Sequence, residues 1–206
     1  MSLQETVDKT FARMKMFNPL IFFTPLRKAM EKPYDGAMWD DVLNINGCAN
    51  YIFSTCLMDI LKPKQVVELG GAMGTWSVCV LQMLPEESQL YSITLAEEGK
   101  EFMFVADTYK NFHQIVGDDL DMKNWKGVDL GKTDVWYFDS LHTYEQLTKE
   151  LALYSPFFKK GSLLFFDDIH LNGEMEKAWG EIQEKYPDNL DLSDPCHWTG
   201  WSVVKV

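Results

Sequence analysis

After residue 63, short apolar runs alternate along the chain with longer segments of helical periodicity. The runs are rich in Val, Ile, Leu and Phe and are apolar on both faces, which is typical of parallel strands inside a sheet. They predict strands at 66–69, 90–94, 113–116, 135–139 and 163–167. The other segments predict helices at 75–84, 98–110, 144–157 and 173–186. A final strand is expected at 198–206, after a short partner near 190–192.

Before residue 63 the pattern is that of helices interrupted by prolines, which break the helical hydrogen-bond ladder. The last of these helices, residues 48–61, carries Ile52, Cys56 and Ile60 at helical spacing. We therefore predict a helical extension or lid, residues 1–62, followed by an α/β domain, residues 63–206. Methionines and aromatic residues in the extension are typical of a core, so substrate contact is assigned to the segment as a whole. The aromatic residues concerned are Phe22, Phe23 and Trp39.

Strands joined by helices require right-handed crossovers. The domain is therefore predicted to be a Rossmann-like three-layer sandwich, with a mostly parallel seven-stranded sheet and an antiparallel C-terminal edge strand. Ligands of such sheets bind beyond the carboxyl ends of the strands, near the point where the strand order reverses. Four of the five strand ends carry a carboxylate and the fifth carries a threonine: Glu68, Thr94, Gly117-Asp118, Asp139 and Asp167-Asp168.

Composition narrows the classes of partner. The 206 residues are 46% hydrophobic, enough for a full core, and carry a formal net charge of −12. Such a charge argues against nucleic acid and anionic membrane surfaces as partners, because both need a positive counter-surface. No apolar run reaches the length of a membrane span. A small-molecule acceptor is therefore expected, and a homodimer is left open. The cysteines lack metal or redox spacing, which favours a reducing, cytoplasmic setting.

The turn after the first strand, from Glu68 to Gly74, points to S-adenosylmethionine. Gly70 and Gly74 let the backbone approach a ligand that a Cβ would block. A carboxylate at Glu68 repels a pyrophosphate but can hold an ammonium and a ribose. The dinucleotide fingerprint G-x-G-x-x-G is absent, which argues against a nicotinamide-dependent oxidoreductase.

Three aspartates predict a metal site. Asp139, Asp167 and Asp168 end two strands that are expected to be neighbours. Carboxylates at such short distances repel one another. A bound divalent cation, with Mg²⁺ as the first candidate, removes that repulsion. The alternative is that these aspartates cap the helices that follow them.

The general base and the residue that contacts the adenine are expected near these aspartates. His142 lies three residues after Asp139 and can accept a proton from a hydroxyl, although a surface or capping role stays open. Asp118 can accept a hydrogen bond from an adenine amine, or it can simply form the turn that Gly-Asp favours. Trp125 either covers the adenine or belongs to the core. Of the other histidines, His170 is the weaker base candidate, and the rest are read as structural: His113 and His197.

Taken together, these motifs resemble the class I S-adenosylmethionine-dependent methyltransferases. Within that class they are most similar to the metal-dependent O-methyltransferases, in the catechol, macrocin and cephalosporin-hydroxylase-like branches. The motifs are Glu68-Leu69-Gly70-x-x-x-Gly74, Gly117-Asp118, the run from Asp134 to Glu145, and the run from Lys160 to Asp168.

The resemblance implies roles position by position. Glu68, Gly70 and Gly74 would contact the methionine part of the cofactor, and Asp118 its adenine. The metal-ligand positions are Asp139, Asp167 and Asp168, and His142 stands where macrolide-sugar methyltransferases carry a catalytic histidine. Two departures are Ala72, which replaces the middle glycine of the turn, and Thr94, which replaces the usual ribose-binding acid, with Glu97 as the substitute three residues later.

The expected reaction is methyl transfer from S-adenosylmethionine to the hydroxyl of a small diol, phenol or sugar. A metal held by the three aspartates would lower the pKa of that hydroxyl, and His142 would remove its proton. The alternative, favoured by Thr94, is an inactive or metal-independent S-adenosylmethionine-binding domain that serves as a partner subunit.

Overall fold

The computed structural model describes residues 1–18, 49–72, 74–95 and 108–206. Its longer helices are α1 (Leu3–Met14), α2 (Ala49–Leu61), α3 (Thr75–Leu81), α4 (Tyr144–Tyr154) and α5 (Gly173–Lys185). Its strands are β1 (Gln65–Leu69), β2 (Gln89–Thr94), β3 (Phe112–Val116), β4 (Val135–Phe138), β5 (Leu163–Asp167), β6 (Asn189–Asp191) and β7 (Trp201–Lys205). Short helical turns occupy Met122–Trp125, Leu130–Lys132, Ser155–Phe157 and Ser193–Cys196.

Some predictions fall outside these ranges. They concern most of the helix at 98–110, the side chains of Phe22, Phe23 and Trp39, and the substitute acid Glu97. In the described ranges, no helix combines the length and the apolar character needed to cross a bilayer.

The strands form one seven-stranded sheet in the order β3-β2-β1-β4-β5-β7-β6. Strands β1 to β5 pair in parallel, and β7 is antiparallel to both β5 and β6. The predicted three-layer architecture is confirmed. One detail differs, because the C-terminal strand lies second from the edge, and β6 forms the edge itself. The strand order reverses between β1 and β4, so the carboxyl ends of these two strands mark the expected ligand site.

Alternate side chains of the strands supply two cores, one on each face of the sheet. Val66, Tyr137 and Phe165 belong to the core shared with α1, α2 and α3, whereas Val67 and Trp136 belong to the core shared with α4 and α5. On the first face, the ring of Phe53 on α2 packs edge-on against Trp201 of β7, with the ring centroids 5.2 Å apart. Helix α2 is therefore part of the layer that covers the sheet.

Gly70 allows a close contact between the ends of β1 and β4. Its φ is +85°, and a Cβ at this position would lie 1.9 Å from the carbonyl oxygen of Asp139. The Gly70 N–H donates to the carbonyl of Ile93 on β2. The glycine is thus required by the packing of three strand ends, and this packing brings the turn after β1 up to Asp139.

We expect Gly70→Ala to destabilise the fold by roughly 3 kcal/mol or more, since the new methyl group meets backbone that cannot move aside and φ is unfavourable for alanine. The free energy of unfolding from urea titration measures this. Gly180→Ala is the matched control, because a Cβ there, within α5, meets nothing within 4 Å. The control is expected to be neutral or stabilising by up to about 1 kcal/mol. Equal effects of the two substitutions would contradict the role given to Gly70.

Candidate active site

A cavity of about 510 Å³ opens at the carboxyl ends of β1, β2, β3 and β4. This volume is typical of small-molecule sites. Its lining includes three aspartates and, among the residues that the structure describes, neither lysine nor arginine. The lining residues are Gly70, Ala72, Ile93, Thr94, Leu95, Gly117, Asp118, Asp119, Asp139, Ser140, Leu141, His142 and Gln146.

Five predicted site residues line this cavity and four do not. Gly70, Thr94, Asp118, Asp139 and His142 line it, whereas the others lie outside the lining: Glu68, Gly74, Asp167 and Asp168. Gly74 adopts a left-handed conformation with φ +66° and caps α3. Direct contact between these residues and a cofactor stays a prediction.

Glu68 is buried beneath the turn and does not face the cavity. Its carboxylate accepts hydrogen bonds from the hydroxyls of Ser77 on α3 and Ser92 on β2. Burial raises the pKa of Glu68, and the two hydroxyls counteract part of that rise. In the described structure Glu68 therefore ties β1, β2 and α3 together beneath the cavity, and its contact with the cofactor stays a prediction.

The turn above Glu68 depends on a glycine that the sequence analysis did not single out. A Cβ on Gly71 would lie 2.1 Å from the hydroxyl oxygen of Ser92. The next residue, Ala72, has φ +34°, a left-handed conformation that glycine adopts at lower energy than alanine. The middle glycine of the family turn is thus missing at a position whose left-handed backbone is kept.

Asp118 is both a turn residue and a lining residue. Its Oδ1 accepts a hydrogen bond of 2.8 Å from the N–H of Leu120, as in an Asx turn. The next residue, Asp119, was missed, although it directly follows Asp118 in the sequence. The side-chain amide of Gln146 donates to both Asp119 and Glu150, at 2.9 Å each. Burial raises the pKa of Asp119 and raises the pKa of Glu150 well above its usual range. The negative charge of Asp119 adds to the rise at Glu150, and that of Asp118 adds to the rise at Asp119.

Asp139, Asp167 and Asp168 come together at the ends of β4 and β5. Burial, followed by the negative charges of Asp167 and Asp168, raises the pKa of Asp139 well above its usual range. Asp167 is also buried, and its Oδ2 accepts a hydrogen bond of 2.8 Å from the hydroxyl of Tyr137. Its Oδ1 is buried without a hydrogen-bond partner among the described residues. Burial raises the pKa of Asp167, and His197 counteracts that rise.

None of these aspartates caps the helix that follows it. Helix α4 is capped by Thr143, whose side chain accepts from the N–H of Gln146. Helix α5 is capped by Asn172, which accepts from the N–H groups of two residues in its first turn. The capping alternative is therefore wrong for all three aspartates, and their carboxylates are left to face the site.

His142 sits between two of the three carboxylates. Its Nε2 lies 3.1 Å from Oδ1 of Asp139 and 3.2 Å from Oδ2 of Asp168. Because ionised carboxylates only accept hydrogen bonds, these contacts favour the tautomer with hydrogen on Nε2 and a free lone pair on Nδ1. The carbonyl oxygen of His142 accepts a hydrogen bond from the side chain of Asn172, which holds this loop against the loop after β5.

His197 also reaches the carboxylates, which the sequence analysis did not predict. Its Nδ1 lies 3.6 Å from Oδ1 of Asp167 and 3.7 Å from Oδ1 of Asp168. Thr199 links this pair, because its hydroxyl donates to Asp168 and lies 2.7 Å from Nδ1 of His197. Within the described ranges, Asp167, Asp168 and His197 form the group whose potential ligand atoms all lie within 4.8 Å of one another.

The remaining candidates take structural places. Trp125 is buried in the core and donates to the hydroxyl of Tyr154, so it does not line the cavity. His113 stacks on Tyr91 along the sheet. His170 bonds to Asp191 at 2.8 Å.

We expect Glu68→Gln to change how stability depends on pH. Since burial raises the folded-state pKa of Glu68 above the unfolded value of about 4.3, the folded state holds its proton more tightly. The contribution of Glu68 to the free energy of unfolding is complete below the unfolded-state pKa. It falls as pH rises toward the folded-state pKa, by up to about 1.4 kcal/mol per pH unit. Urea titrations from pH 5 to 8 should show wild type losing stability relative to Glu68→Gln. A difference that is constant with pH would contradict this, and exposed Glu86→Gln is the control.

Solved structures with the same fold include several methyltransferases. A protein provisionally named as a caffeoyl-CoA O-methyltransferase from Staphylococcus aureus is 14% identical, with 98% of this chain and 100% of that chain covered and a TM-score of 0.64. A methyltransferase from Geobacter sulfurreducens is 16% identical, with 88% and 90% covered and a TM-score of 0.62. The O-methyltransferase TomG from Streptomyces achromogenes, solved with its methyl donor, is 13% identical, with 86% and 89% covered and a TM-score of 0.62.

At such identities these likenesses show the fold alone, and no curated protein sequence matches the chain significantly. A family model described as a methyltransferase domain does match, from residue 67 to residue 169. Because that match spans half of the 206 residues and the fold agrees with it, the protein belongs to the methyltransferase-domain family and is a class I S-adenosylmethionine-dependent methyltransferase.

Proposed function

We propose that the protein methylates a hydroxyl oxygen of a small acceptor, a diol, phenol or sugar, and that this reaction depends on a divalent cation. The observation that carries the proposal is the meeting of Asp139, Asp167 and Asp168 beside His142, at the edge of the cofactor cavity. O-methyl transfer needs a deprotonated hydroxyl, and this group of residues is suited to bind and deprotonate one.

The charge of the cavity supports the donor. S-adenosylmethionine, when bound, supplies a methyl group on a cationic sulfonium, so that the cofactor itself carries the leaving group. Asp118, Asp119 and Asp139 in the lining favour a cation over a pyrophosphate. Gly70 and Gly117 keep the walls free of side chains where the cofactor would pass between the ends of β1 and β3.

The carboxylates support a cation. Asp167 and Asp168 would hold it, and the buried, unpartnered Oδ1 of Asp167 is an oxygen that a cation would satisfy. A divalent ion lowers the pKa of a hydroxyl that contacts it. Hard cations take carboxylate oxygens, and close anions in a buried site favour such an ion because they otherwise repel each other.

His142 is the proposed general base. Asp139 and Asp168 accept its Nε2–H, which orients the imidazole and leaves the lone pair on Nδ1 for the acceptor proton. These carboxylates also stabilise the imidazolium that forms once the proton has moved. Leu141, which is 67% exposed, lies beside His142 in the lining and offers apolar contact to the body of an acceptor.

Thr94 favours a second candidate function. It lines the cavity at the end of β2, where the resemblance implies an acid for the ribose. A domain that binds S-adenosylmethionine but acts without metal, or as an inactive partner subunit, would account for a weaker ribose contact. Two measurements separate the two functions. One is isothermal titration with S-adenosylmethionine, and the other is methylation of a panel of catechols, phenols and sugar diols with and without a chelator.

We also propose a cytoplasmic location. Cys56 and Cys196 are free and buried, and burial raises the pKa of Cys56 to about 12. Buried thiols of this kind are typical of proteins in reducing compartments. The proposed partner is the small acceptor, without nucleic acid or membrane.

Asp168→Asn should lower the rate of metal-dependent methyl transfer by at least about 10²-fold, because the variant loses a charge at the proposed ion site. Its affinity for S-adenosylmethionine should change by less than about threefold, since Asp168 lies outside the cavity lining. Release of S-adenosylhomocysteine and calorimetry measure the two quantities. Exposed Asp188→Asn serves as the control. Loss of both activity and cofactor binding would mean that Asp168 is structural.

His142→Ala should lower the rate of methyl transfer by roughly 10²–10⁴, the usual contribution of a general base. Cofactor affinity should be nearly unchanged. His170→Ala is the matched control, because His170 lies on the neighbouring loop and pairs with Asp191 instead of the carboxylates. An unchanged rate in His142→Ala would remove this residue from the mechanism.

A further inference from the structure

We infer that His197 is the third protein ligand of the cation, and that the site therefore prefers a transition-metal ion such as Mn²⁺, Fe²⁺ or Zn²⁺ over Mg²⁺. The inference rests on the proposed function and names the ion and its ligands. It reassigns Asp139, which the sequence predicts as a ligand, to the orientation of His142.

The distances from His197 to the two carboxylates are those of shared ligands, whereas its Nδ1 lies 2.7 Å from the Thr199 hydroxyl, a contact that a bound ion would replace. Its Nδ1 lies 3.6 and 3.7 Å from the facing oxygens of Asp167 and Asp168. These separations are too long for hydrogen bonds. Ligands of one ion at bond lengths of about 2.1 Å lie about 3.4 Å apart in a tetrahedron, and about 3.0 Å or 4.2 Å apart in an octahedron.

The two oxygens that face His197, Oδ1 of Asp167 and Oδ1 of Asp168, have room for a further interaction. Oδ1 of Asp167 is buried with no hydrogen-bond partner among the described residues, while its Oδ2 is occupied by Tyr137. Oδ1 of Asp168 receives the Thr199 hydroxyl, and its Oδ2 faces His142. Asp168 thus divides its oxygens between the two histidines, with His197 on the side of the unpartnered oxygen.

Asp139 is placed for a different task. Its Oδ1 is 3.1 Å from Nε2 of His142. Asp139 also lines the cofactor cavity, whereas Asp167 and Asp168 lie outside the lining. The group with mutual distances under 4.8 Å contains His197 and not Asp139, within the part of the chain that the structure describes.

An imidazole ligand changes which ion is favoured. Carboxylates alone suit Mg²⁺ and Ca²⁺, whereas imidazole suits Zn²⁺, Fe²⁺ and their neighbours, with Mn²⁺ accepted by both kinds of ligand. A set of one nitrogen and two carboxylates therefore binds Mn²⁺ or Zn²⁺ more tightly than Mg²⁺.

The β6–β7 loop is built to hold His197 in this place. Gly200 has φ +100°, and a Cβ there would lie 2.6 Å from the backbone nitrogen of His170. That nitrogen donates to the carbonyl of Thr199 at 2.8 Å, which joins this loop to the loop after β5. The close approach carries His197 to the carboxylates.

Calorimetry on the chelator-treated protein tests the inference, with MnCl₂, ZnCl₂ and MgCl₂ as separate titrants. We expect wild type to bind Mn²⁺ and Zn²⁺ at least about tenfold more tightly than Mg²⁺. His197→Gln should lose at least about tenfold in affinity for Mn²⁺ and Zn²⁺ and much less for Mg²⁺. His170→Ala is the control and should match wild type. Asp139→Asn should lose less affinity than His197→Gln.

A second measurement needs no variant. Electron spin-echo spectra of Mn²⁺ bound to wild type should show coupling to a directly coordinated imidazole nitrogen. Absence of this coupling, or Mn²⁺ affinity that His197→Gln leaves unchanged, would overturn the inference while the metal-dependent function stands. Failure of wild type to bind any of the three ions would overturn the metal dependence itself, and this inference with it.

Discussion

Three carboxyl groups must share one partly buried edge of the sheet, and the rest of the site is arranged around that constraint. Parallel pairing of β4 with β5 aligns the strand ends, so Asp139 and Asp167 cannot avoid each other. Burial and mutual repulsion raise the pKa of Asp139 and disfavour its charged form. His142 and His197 approach from two different loops, and each brings a nitrogen to these carboxylates. A divalent cation would complete the same compensation more strongly than a proton can.

The neighbouring cavity, where the cofactor is proposed to bind, depends on close backbone contacts at the strand ends. Gly70 allows the turn after β1 to touch the backbone of Asp139, and Gly71 fits against the side chain of Ser92. Beneath this turn, Glu68 accepts hydrogen bonds from one serine on α3 and one on β2. These contacts fix the wall of the cavity relative to the carboxylates. The proposed donor site and the proposed proton acceptor would therefore be set by the same few strand ends.

Much of this could be predicted from the sequence. The alternation of apolar runs and helical segments is local information, and it predicted every described strand to within a residue or two, except for the longer span given to β7. The meeting of Asp139 with Asp167 and Asp168 followed from parallel pairing alone. The sequence did not predict that Glu68 turns inward, because this depends on Ser77 and Ser92, whose approach is set by how α3 and β2 pack on β1. The place of Trp125 was open for the same reason, since only packing against Tyr154 decides it.

The sequence by itself determined the layered architecture, the edge of the sheet where the candidate site lies, and the acidic side chains gathered there, because these depend on periodicity and on strand direction. The tertiary structure alone decided that β7 lies between β5 and β6, with its loop folded over the ends of the parallel strands. That placement brings His197 and Thr199 to aspartates about thirty residues earlier in the chain. No local spacing encodes such a contact, since it arises from the antiparallel return of the chain and from the close approach that Gly200 permits.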